Sequence, residues 1–297
     1  RSRSVRGFKS LTGERVRVRV LFAGDVMGEA GRKAVLRHVP RLRADFALDF
    51  VIVNGENAAG GFGITEKICE AFFDAGADVV TTGNHAWDQR EMLTYIEREP
   101  RVLRPCNYPP GTPGRGAGLY QKAAGKQVLV IQAMTRLFMD PLDDPFRAVD
   151  EALASHRLVE TVDFVFLDIH GEATSEKQAL AWTFDGRISA AAGSHSHVPT
   201  ADNRILPNGT AYQTDAGMCG DYESIIGMKP AAAASRFLTK IRTERLEPAD
   251  GEATLCGVVI ETDDRTGLAV RSGPVRLGGK LAPTVPDWLG TAARPSA

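Results

Sequence analysis

The fold of this 297-residue chain is set by residues 16–54, VRVRVLFAGDVMGEAGRKAVLRHVPRLRADFALDFVIVN. The run Val16–Ala23 first alternates and then becomes continuously apolar, which is typical of a strand that enters a buried sheet. After a turn at Gly28, apolar residues recur at helical spacing from Arg32 to Leu42, and the segment FVIVN at 50–54 predicts a second buried strand. The stretch therefore predicts a strand, a helix and a second strand.

The same alternation continues downstream and predicts an α/β fold, with a parallel-rich sheet covered by helices. Further helices are predicted near Thr65–Ala75, Arg90–Glu97, Pro145–His156 and Ser175–Trp182. Further strands are predicted at Asp78–Thr82, Gln127–Gln132, Phe164–Ile169, Ile188–Ala192 and Thr210–Thr214.

Two other segments depart from this alternation. The segment from Leu103 towards Gln132 is rich in Pro and Gly, which predicts a long surface loop before the strand QVLVIQ. Near the end, LCGVVIET and LAVRSGPVRL are separated by the turn DDRTG, which predicts an antiparallel hairpin. The hairpin indicates a second or a mixed sheet.

The composition narrows the class of protein. Hydrophobic residues make up 43% of the chain, charged residues 25%, and the formal net charge is -1, so no polyelectrolyte partner is implied. The four cysteines are scattered without a CxxC pair, which fits a reducing compartment. No apolar run approaches the roughly 18 residues that a membrane span needs. We therefore expect a cytoplasmic protein without membrane contact.

The chain is predicted to hold one domain. Residues 1–15 are basic and aperiodic, which indicates a disordered arm or a vector-derived remnant. Residues 16–279 would form the domain. Residues 280–297, rich in Pro, Ala and Thr, would form a loose tail whose one anchor is Trp288.

Polar side chains fall at the carboxyl ends of the predicted strands, where open α/β sheets place their functional sites. Taken singly, each of these residues has a simpler explanation, such as a helix cap or a turn. Their occurrence at successive strand ends favours a shared site. They are Asp25, Glu56, Asn57, Asn84, His85, His170, His195 and His197.

The residue types in this set indicate a metal site. In the sequence His195-Ser196-His197, alternate residues of an extended segment point the same way and can share one ion or one ion pair. Oxygen and imidazole donors without thiolate favour iron or manganese, with zinc as an alternative. Two ions about 3.5–4 Å apart need a bridging carboxylate, for which Glu56 is the candidate. His38 and His156 are predicted to be solvated bystanders.

Long motifs resemble those of one known family. The segments are LFAGDVMG, FVIVNGENAAGGFGIT, TTGNHAWD, LDIHGEATSEK and AAGSHSHVPTADNRILPNGTAYQTDAGMCGDYESIIGM, and they span roughly Val16 to Gly278. In this order they closely resemble the YmdB family of bacterial calcineurin-like metallophosphoesterases. The resemblance implies a metallophosphatase α/β/β/α sandwich with mixed sheets, and hydrolysis of phosphodiesters, notably 2′,3′-cyclic nucleotides, by a hydroxide that bridges two divalent or mixed-valence metal ions.

The resemblance also implies a role for each polar residue. Asp25, Asn57 and His197 would hold one ion, Asn84, His170 and His195 the other, and Glu56 would bridge them. The wider superfamily usually has Asp-x-His on its first strand, but Met27 stands here at the third position, and Asn57 would replace the missing imidazole. His85, in the Gly-Asn-His motif, would be the proton donor or, alternatively, an imidazole that only orients a carboxylate.

Two other functions remain open at this point. The chain could be a regulatory binding protein of RNA metabolism with weak or vestigial phosphodiesterase activity, in which case RNA ends or RNA-processing proteins would be its partners. A dinuclear peptidase or amidase would use the same carboxylates and histidines. Substrate hydrolysis distinguishes the three, because each predicts a different cleaved bond or none.

Overall fold

The computed structural model describes residues 17–122, 125–241 and 244–290. Within these ranges the strands are β1 (Arg19–Ala23), β2 (Phe50–Asn54), β3 (Val79–Thr81), β4 (Val102–Leu103), β5 (Ala117–Gln121), β6 (Gln127–Met134), β7 (Phe164–His170), β8 (Ala190–Ser194), β9 (Arg204–Ile205), β10 (Ala211–Gln213), β11 (Leu255–Thr262) and β12 (Ala269–Leu277). The α-helices are α1 (Gly28–Asp45), α2 (Glu66–Asp74), α3 (Met92–Arg98), α4 (Pro145–Leu153), α5 (Thr174–Thr183) and α6 (Pro230–Thr239).

The strands form two mixed six-stranded sheets. The first has the order β12-β11-β1-β2-β3-β4, in which β1 to β4 run parallel and the hairpin β11-β12 is antiparallel. The second has the order β5-β6-β7-β8-β10-β9, with β6, β7, β8 and β10 parallel and antiparallel strands at both edges. The predicted βαβ unit and the predicted hairpin are both confirmed.

Three apolar clusters define the layers. One lies between the two sheets, where the rings of Phe22 and Phe166 are 4.9 Å apart. A second packs the first sheet against α1, α2 and α3 and contains Val35 and Phe72. The third packs the second sheet against α4 and α5. The order of layers is therefore helix, sheet, sheet, helix, which confirms the predicted α/β/β/α sandwich.

The carboxyl ends of the parallel strands meet at one edge of this sandwich. Asn54 is the last residue of β2, and its Nδ2 donates to Asp168 Oδ2 at 3.2 Å. Thr81 is the last residue of β3, and its Oγ1 donates to the same oxygen at 2.7 Å. Because Asp168 lies near the end of β7 in the other sheet, side chains that follow the strands of both sheets are brought together here.

Two elements depart from the sequence prediction. The segment expected to be a surface loop after Leu103 contains the edge strand β5, which pairs antiparallel with β6. An edge strand is hydrogen-bonded on one side only and tolerates Gly and exposed side chains such as Leu119, so no apolar run marks it. The helix α6 was also missed, because it buries only Ala232 and Ala233 and has no apolar stripe.

The segment predicted to be a loose tail is packed as far as residue 290. Thr284 pairs with Arg276 of β12. Leu289 is buried in the apolar cluster that packs the first sheet against α1, α2 and α3. Residues 1–15, predicted to be an arm, and residues 291–297 lie outside the described ranges. No helix in the described part of the chain is long and apolar enough to cross a membrane.

Candidate metal centre

The candidate ligands divide between the two sheets by their chemistry. The oxygen donors follow strands of the first sheet, with Asp25 after β1, Glu56 and Asn57 after β2, and Asn84 after β3. The imidazoles come from the second sheet, with His170 ending β7 and His195 and His197 following β8. Each proposed ion would therefore take ligands from both sheets.

His170 is fully buried and faces the first sheet with Nε2. This atom lies 2.8 Å from Asn84 Oδ1 and 2.9 Å from Glu56 Oε2. The other ring nitrogen, Nδ1, lies 2.8 Å from the hydroxyl oxygen of Ser194. One nitrogen is thus held by the fold, while the other converges with two oxygens.

His197 repeats this arrangement with Asn57. Its Nδ1 donates to the carbonyl oxygen of Ile226 at 2.7 Å, so the lone pair is on Nε2. Nε2 lies 3.2 Å from Asn57 Oδ1. The site therefore contains two pairs of one imidazole nitrogen and one amide oxygen, as expected of two ion positions.

Glu56 lies at the centre of the group and is 1% exposed. Its Oε2 faces His170, and its Oε1 is 3.9 Å from His85 Nε2. Glu56 Oε2 and Asp25 Oδ1 are buried and have no hydrogen-bond partner among the described residues. Burial raises the pKa of Glu56 to about 7, and burial together with the charge of Glu56 raises the pKa of Asp25 well above its ordinary value.

A buried ion pair holds the His-x-His loop. Lys177 Nζ donates to Asp215 Oδ2 at 2.8 Å and to the carbonyl oxygen of Ser194 at 2.7 Å. Asp215 Oδ2 also accepts from the backbone N–H of Ser196 at 3.1 Å. His195 and His197 have φ values of 93° and 66°, which are uncommon for residues with a side chain and persist only where the surroundings enforce them.

These observations fit two bound cations. Glu56, His170 and His195 place one ligand atom each within 4.8 Å of one another. Burial lowers the pKa of His170 to about 3, so the imidazole is neutral, as a metal ligand must be. Two buried carboxylates that lack hydrogen-bond donors destabilise the fold unless a cation compensates their charge. The donor set is oxygen and imidazole, which suits iron, manganese or zinc.

The raised pKa of Glu56 predicts a pH-dependent affinity for metal. Below about pH 7 the carboxyl holds a proton that a cation must displace, whereas His170, with a pKa of about 3, is already neutral. We therefore expect the apparent Zn²⁺ affinity to rise by about tenfold or more per pH unit from pH 5.5 to 7, because Glu56 and Asp25, whose pKa is also raised, would each release a proton. Competition titrations across this range test the prediction, and a constant affinity would contradict it.

Gly83 lies so close to Glu56 and His170 that a side chain at this position would overlap both candidate ligands. A Cβ at this position would lie 2.5 Å from Glu56 Oε2 and 2.6 Å from His170 Cε1, and its φ is 65°. We expect Gly83→Ala to displace both ligands and to weaken Zn²⁺ binding about 10–100-fold, the usual cost of disturbing the support of a metal ligand. Gly111→Ala is the control. Gly111 also has a positive φ, of 87°, but a Cβ at this position would have no described neighbouring atom within 4 Å. Equal Zn²⁺ affinities in competition titrations of the two variants would contradict this reason for the glycine.

His85 lies at the rim of the group with about a quarter of its side chain exposed. Its Nδ1 is 2.8 Å from Asp88 Oδ2, which leaves Nε2 directed towards Glu56. The ring of Phe62 contacts the imidazole edge-on, with 5.3 Å between centroids. The side chain is therefore fixed on two sides and can exchange a proton through Nε2.

The comparison with known proteins identifies the family. A family profile described as "YmdB-like protein" matches residues 21–275. The chain belongs to the YmdB-like family. The matched range contains all seven candidate ligands and His85.

Full-length relatives of the YmdB-like chain are similar in both sequence and structure. It is 49% identical over 254 residues to the 2′,3′-cyclic-nucleotide 2′-phosphodiesterase of Bacillus subtilis, covering 86% of this chain and 95% of the relative. A crystal structure of a hypothetical protein from Thermus thermophilus has a TM-score of 0.82 at 46% identity and covers 89% of this chain and 100% of that one. A structure described as a novel phosphatase from Mycoplasma pneumoniae has a TM-score of 0.81 at 31% identity, covering 89% and 95%.

The structure brings all seven candidate ligands and His85 to this edge of the sandwich, and the role of each stays a prediction. Sequence reasoning missed several supporting residues, among them Asp88, Asp168, Lys177, Ser194 and Asp215. One signal was present: the acidic side chain of Asp168 interrupts the apolar strand FVFLDI, where a charge needs a partner.

Proposed function

We propose that the chain is a dinuclear metal-dependent phosphodiesterase that hydrolyses cyclic nucleotides, notably 2′,3′-cyclic forms, or related phosphodiesters. The observation that carries this proposal is the pair of imidazole–amide contacts, His170 with Asn84 and His197 with Asn57, with Glu56 Oε2 beside the first of them. The name of the Bacillus subtilis relative supports the substrate class. A relative from Mycoplasma genitalium, 33% identical over 267 residues, is described as a candidate phosphatase/phosphodiesterase.

The protein's own residues have distinct tasks in this reaction. Asp25, Asn57 and His197 would hold one cation, Asn84, His170 and His195 the second, and Glu56 would contact both. Two bound cations lower the pKa of a water towards neutrality and offset negative charge on the phosphoryl oxygens. His85 would deliver a proton from Nε2 to the departing oxygen, while Asp88 holds Nδ1 and keeps the ring oriented.

Elemental analysis of the purified protein followed by a substrate panel on the same material tests the proposal. The panel contains 2′,3′-cyclic AMP, 3′,5′-cyclic AMP, bis-p-nitrophenyl phosphate and a peptide amide, each with added Mn²⁺ or Fe²⁺. We expect about two metal ions per chain and hydrolysis of phosphodiesters that chelation abolishes. Two bound ions without hydrolysis would favour a binding protein, and cleavage of the amide alone would indicate a peptidase.

A further inference from the structure

Asp168 is a fully buried carboxylate two residues before His170 on β7. Its Oδ2 accepts three hydrogen bonds, from Asn54 Nδ2 at 3.2 Å, Thr81 Oγ1 at 2.7 Å and Gln132 Nε2 at 2.8 Å. The two amide groups act as donors in these contacts, and with the hydroxyl they occupy the lone pairs of Oδ2.

The other carboxylate oxygen leads to His170. Asp168 Oδ1 accepts from the hydroxyl of Ser194 at 2.7 Å, and the oxygen of that hydroxyl lies 2.8 Å from His170 Nδ1. A hydroxyl has one proton to donate. Since Ser194 gives its proton to Asp168, it can only accept from the imidazole, and Nδ1 must then carry the ring proton.

We propose that Asp168 is a positioning residue that, through Ser194, keeps the proton of His170 on Nδ1 and so presents the Nε2 lone pair to the metal centre. This inference rests on the proposed metal centre. Nε2 lies within 2.9 Å of both Asn84 Oδ1 and Glu56 Oε2, so three lone-pair atoms meet at one place. A proton on Nε2 would fill the position that a cation needs.

The comparison with His197 shows why the carboxylate is needed. Nδ1 of His197 faces the carbonyl oxygen of Ile226, which only accepts and therefore selects the tautomer by itself. Ser194 is a hydroxyl and could donate or accept, so it selects nothing alone. Asp168 removes this ambiguity because an ionised carboxylate only accepts.

The free-energy cost of burying the Asp168 carboxylate favours a functional role for this residue. In the described part of the chain, all four hydrogen-bond donors to Asp168 are neutral groups, so its negative charge is buried without a cationic hydrogen-bond donor among them. A neutral side chain of the same shape would cost the fold less, and charges of this kind recur at functional sites.

The variant Asp168→Asn tests the inference because it keeps the shape and removes the charge. With the amide oxygen towards Asn54, Thr81 and Gln132, the amide NH₂ would donate to Ser194, whose hydroxyl must then donate to His170 Nδ1. We expect ¹⁵N spectra of histidine-labelled, metal-free protein to show the His170 proton on Nδ1 in the parent and on Nε2 in the variant. One of two Zn²⁺ ions should bind about 10–100-fold more weakly.

Three further variants keep the test independent of how well Asp168→Asn folds. Thr81→Val removes one donor to Asp168 without touching the link to Ser194, and we expect parental tautomer and Zn²⁺ affinity. Ser194→Ala interrupts the link and leaves the bonds to Oδ2, so it carries the test if Asp168→Asn does not fold. In Ser194→Ala the proton should no longer be confined to Nδ1 and one Zn²⁺ should be weakened about tenfold or more, whereas Ser194→Thr should restore both.

The outcomes separate this inference from the proposed function. Parental Zn²⁺ binding and an unchanged proton position in Asp168→Asn, or in Ser194→Ala, would overturn the role of Asp168 alone. A parent protein that binds no Zn²⁺, Mn²⁺ or Fe²⁺ would overturn the metal centre itself, and with it the tautomer argument.

Discussion

Glu56→Gln is expected to abolish turnover while leaving the fold intact. The side chain keeps its size but loses one of the two carboxylates in the candidate ligand set, the one whose oxygens face His170 and His85. The loss of paired cations should cost several kcal/mol of transition-state stabilisation, or about 10³-fold or more in kcat. Elemental analysis of the purified variant should show fewer than two ions per chain.

The stability of the same variant gives an independent readout. In the metal-free protein Glu56 Oε2 is buried without a hydrogen-bond partner, so removal of the charge should leave the melting temperature equal or higher. Glu56→Asp retains the charge and is expected to keep measurable metal binding. If Glu56→Gln held two ions and turned over normally, Glu56 would not be the bridge.

His85→Ala is expected to lower kcat about 10²–10⁴-fold, the usual contribution of a general acid, with metal content unchanged. The loss should depend on the leaving group. An alkoxide such as the ribose 2′-oxygen needs a proton in order to leave, whereas p-nitrophenolate leaves readily without one. Hydrolysis of 2′,3′-cyclic AMP should therefore suffer far more than hydrolysis of bis-p-nitrophenyl phosphate.

The alternative for His85 is a ring that only orients a carboxylate. Its Nε2 is 3.9 Å from Glu56 Oε1, so this role is geometrically open. It predicts equal losses on both substrates together with weaker metal binding. His156→Ala provides a control, since His156 lies away from the centre and its Nδ1 contacts only the carbonyl oxygen of Ala152. Normal hydrolysis of the cyclic nucleotide by His85→Ala would refute a proton-transfer role.

The elements that the sequence predicted well are those whose apolar pattern reflects burial on both faces. β2 and β7 are buried along their whole length and were found within one residue. β5 and α6 were missed because a one-sided edge strand and a small-residue helix bury too little apolar surface to leave a pattern. Pairing of strands in two separate sheets depends on contacts far apart in sequence, which periodicity does not encode.

The candidate ligands were recognisable because strand ends converge at one edge of a sheet. Most of their supports were not, since these act through contacts distant along the chain. Asp168 meets Asn54 across 114 positions, and Lys177 meets Asp215 across 38. No local pattern distinguishes Ser194 from any other serine beside a histidine. The link from Asp168 through Ser194 to His170 is therefore visible only in the three-dimensional structure.

The division of the candidate metal ligands between the two sheets affects the order of folding and metal binding. The candidate ligands in residues 25–84 are all oxygen donors, and those in residues 170–197 are all imidazoles. Neither portion could assemble a complete coordination sphere during synthesis, before the other had docked against it. The ions would therefore bind late in folding, after the two sheets have docked, and would stabilise the contact between them. A partly folded chain would be unable to cleave its substrate.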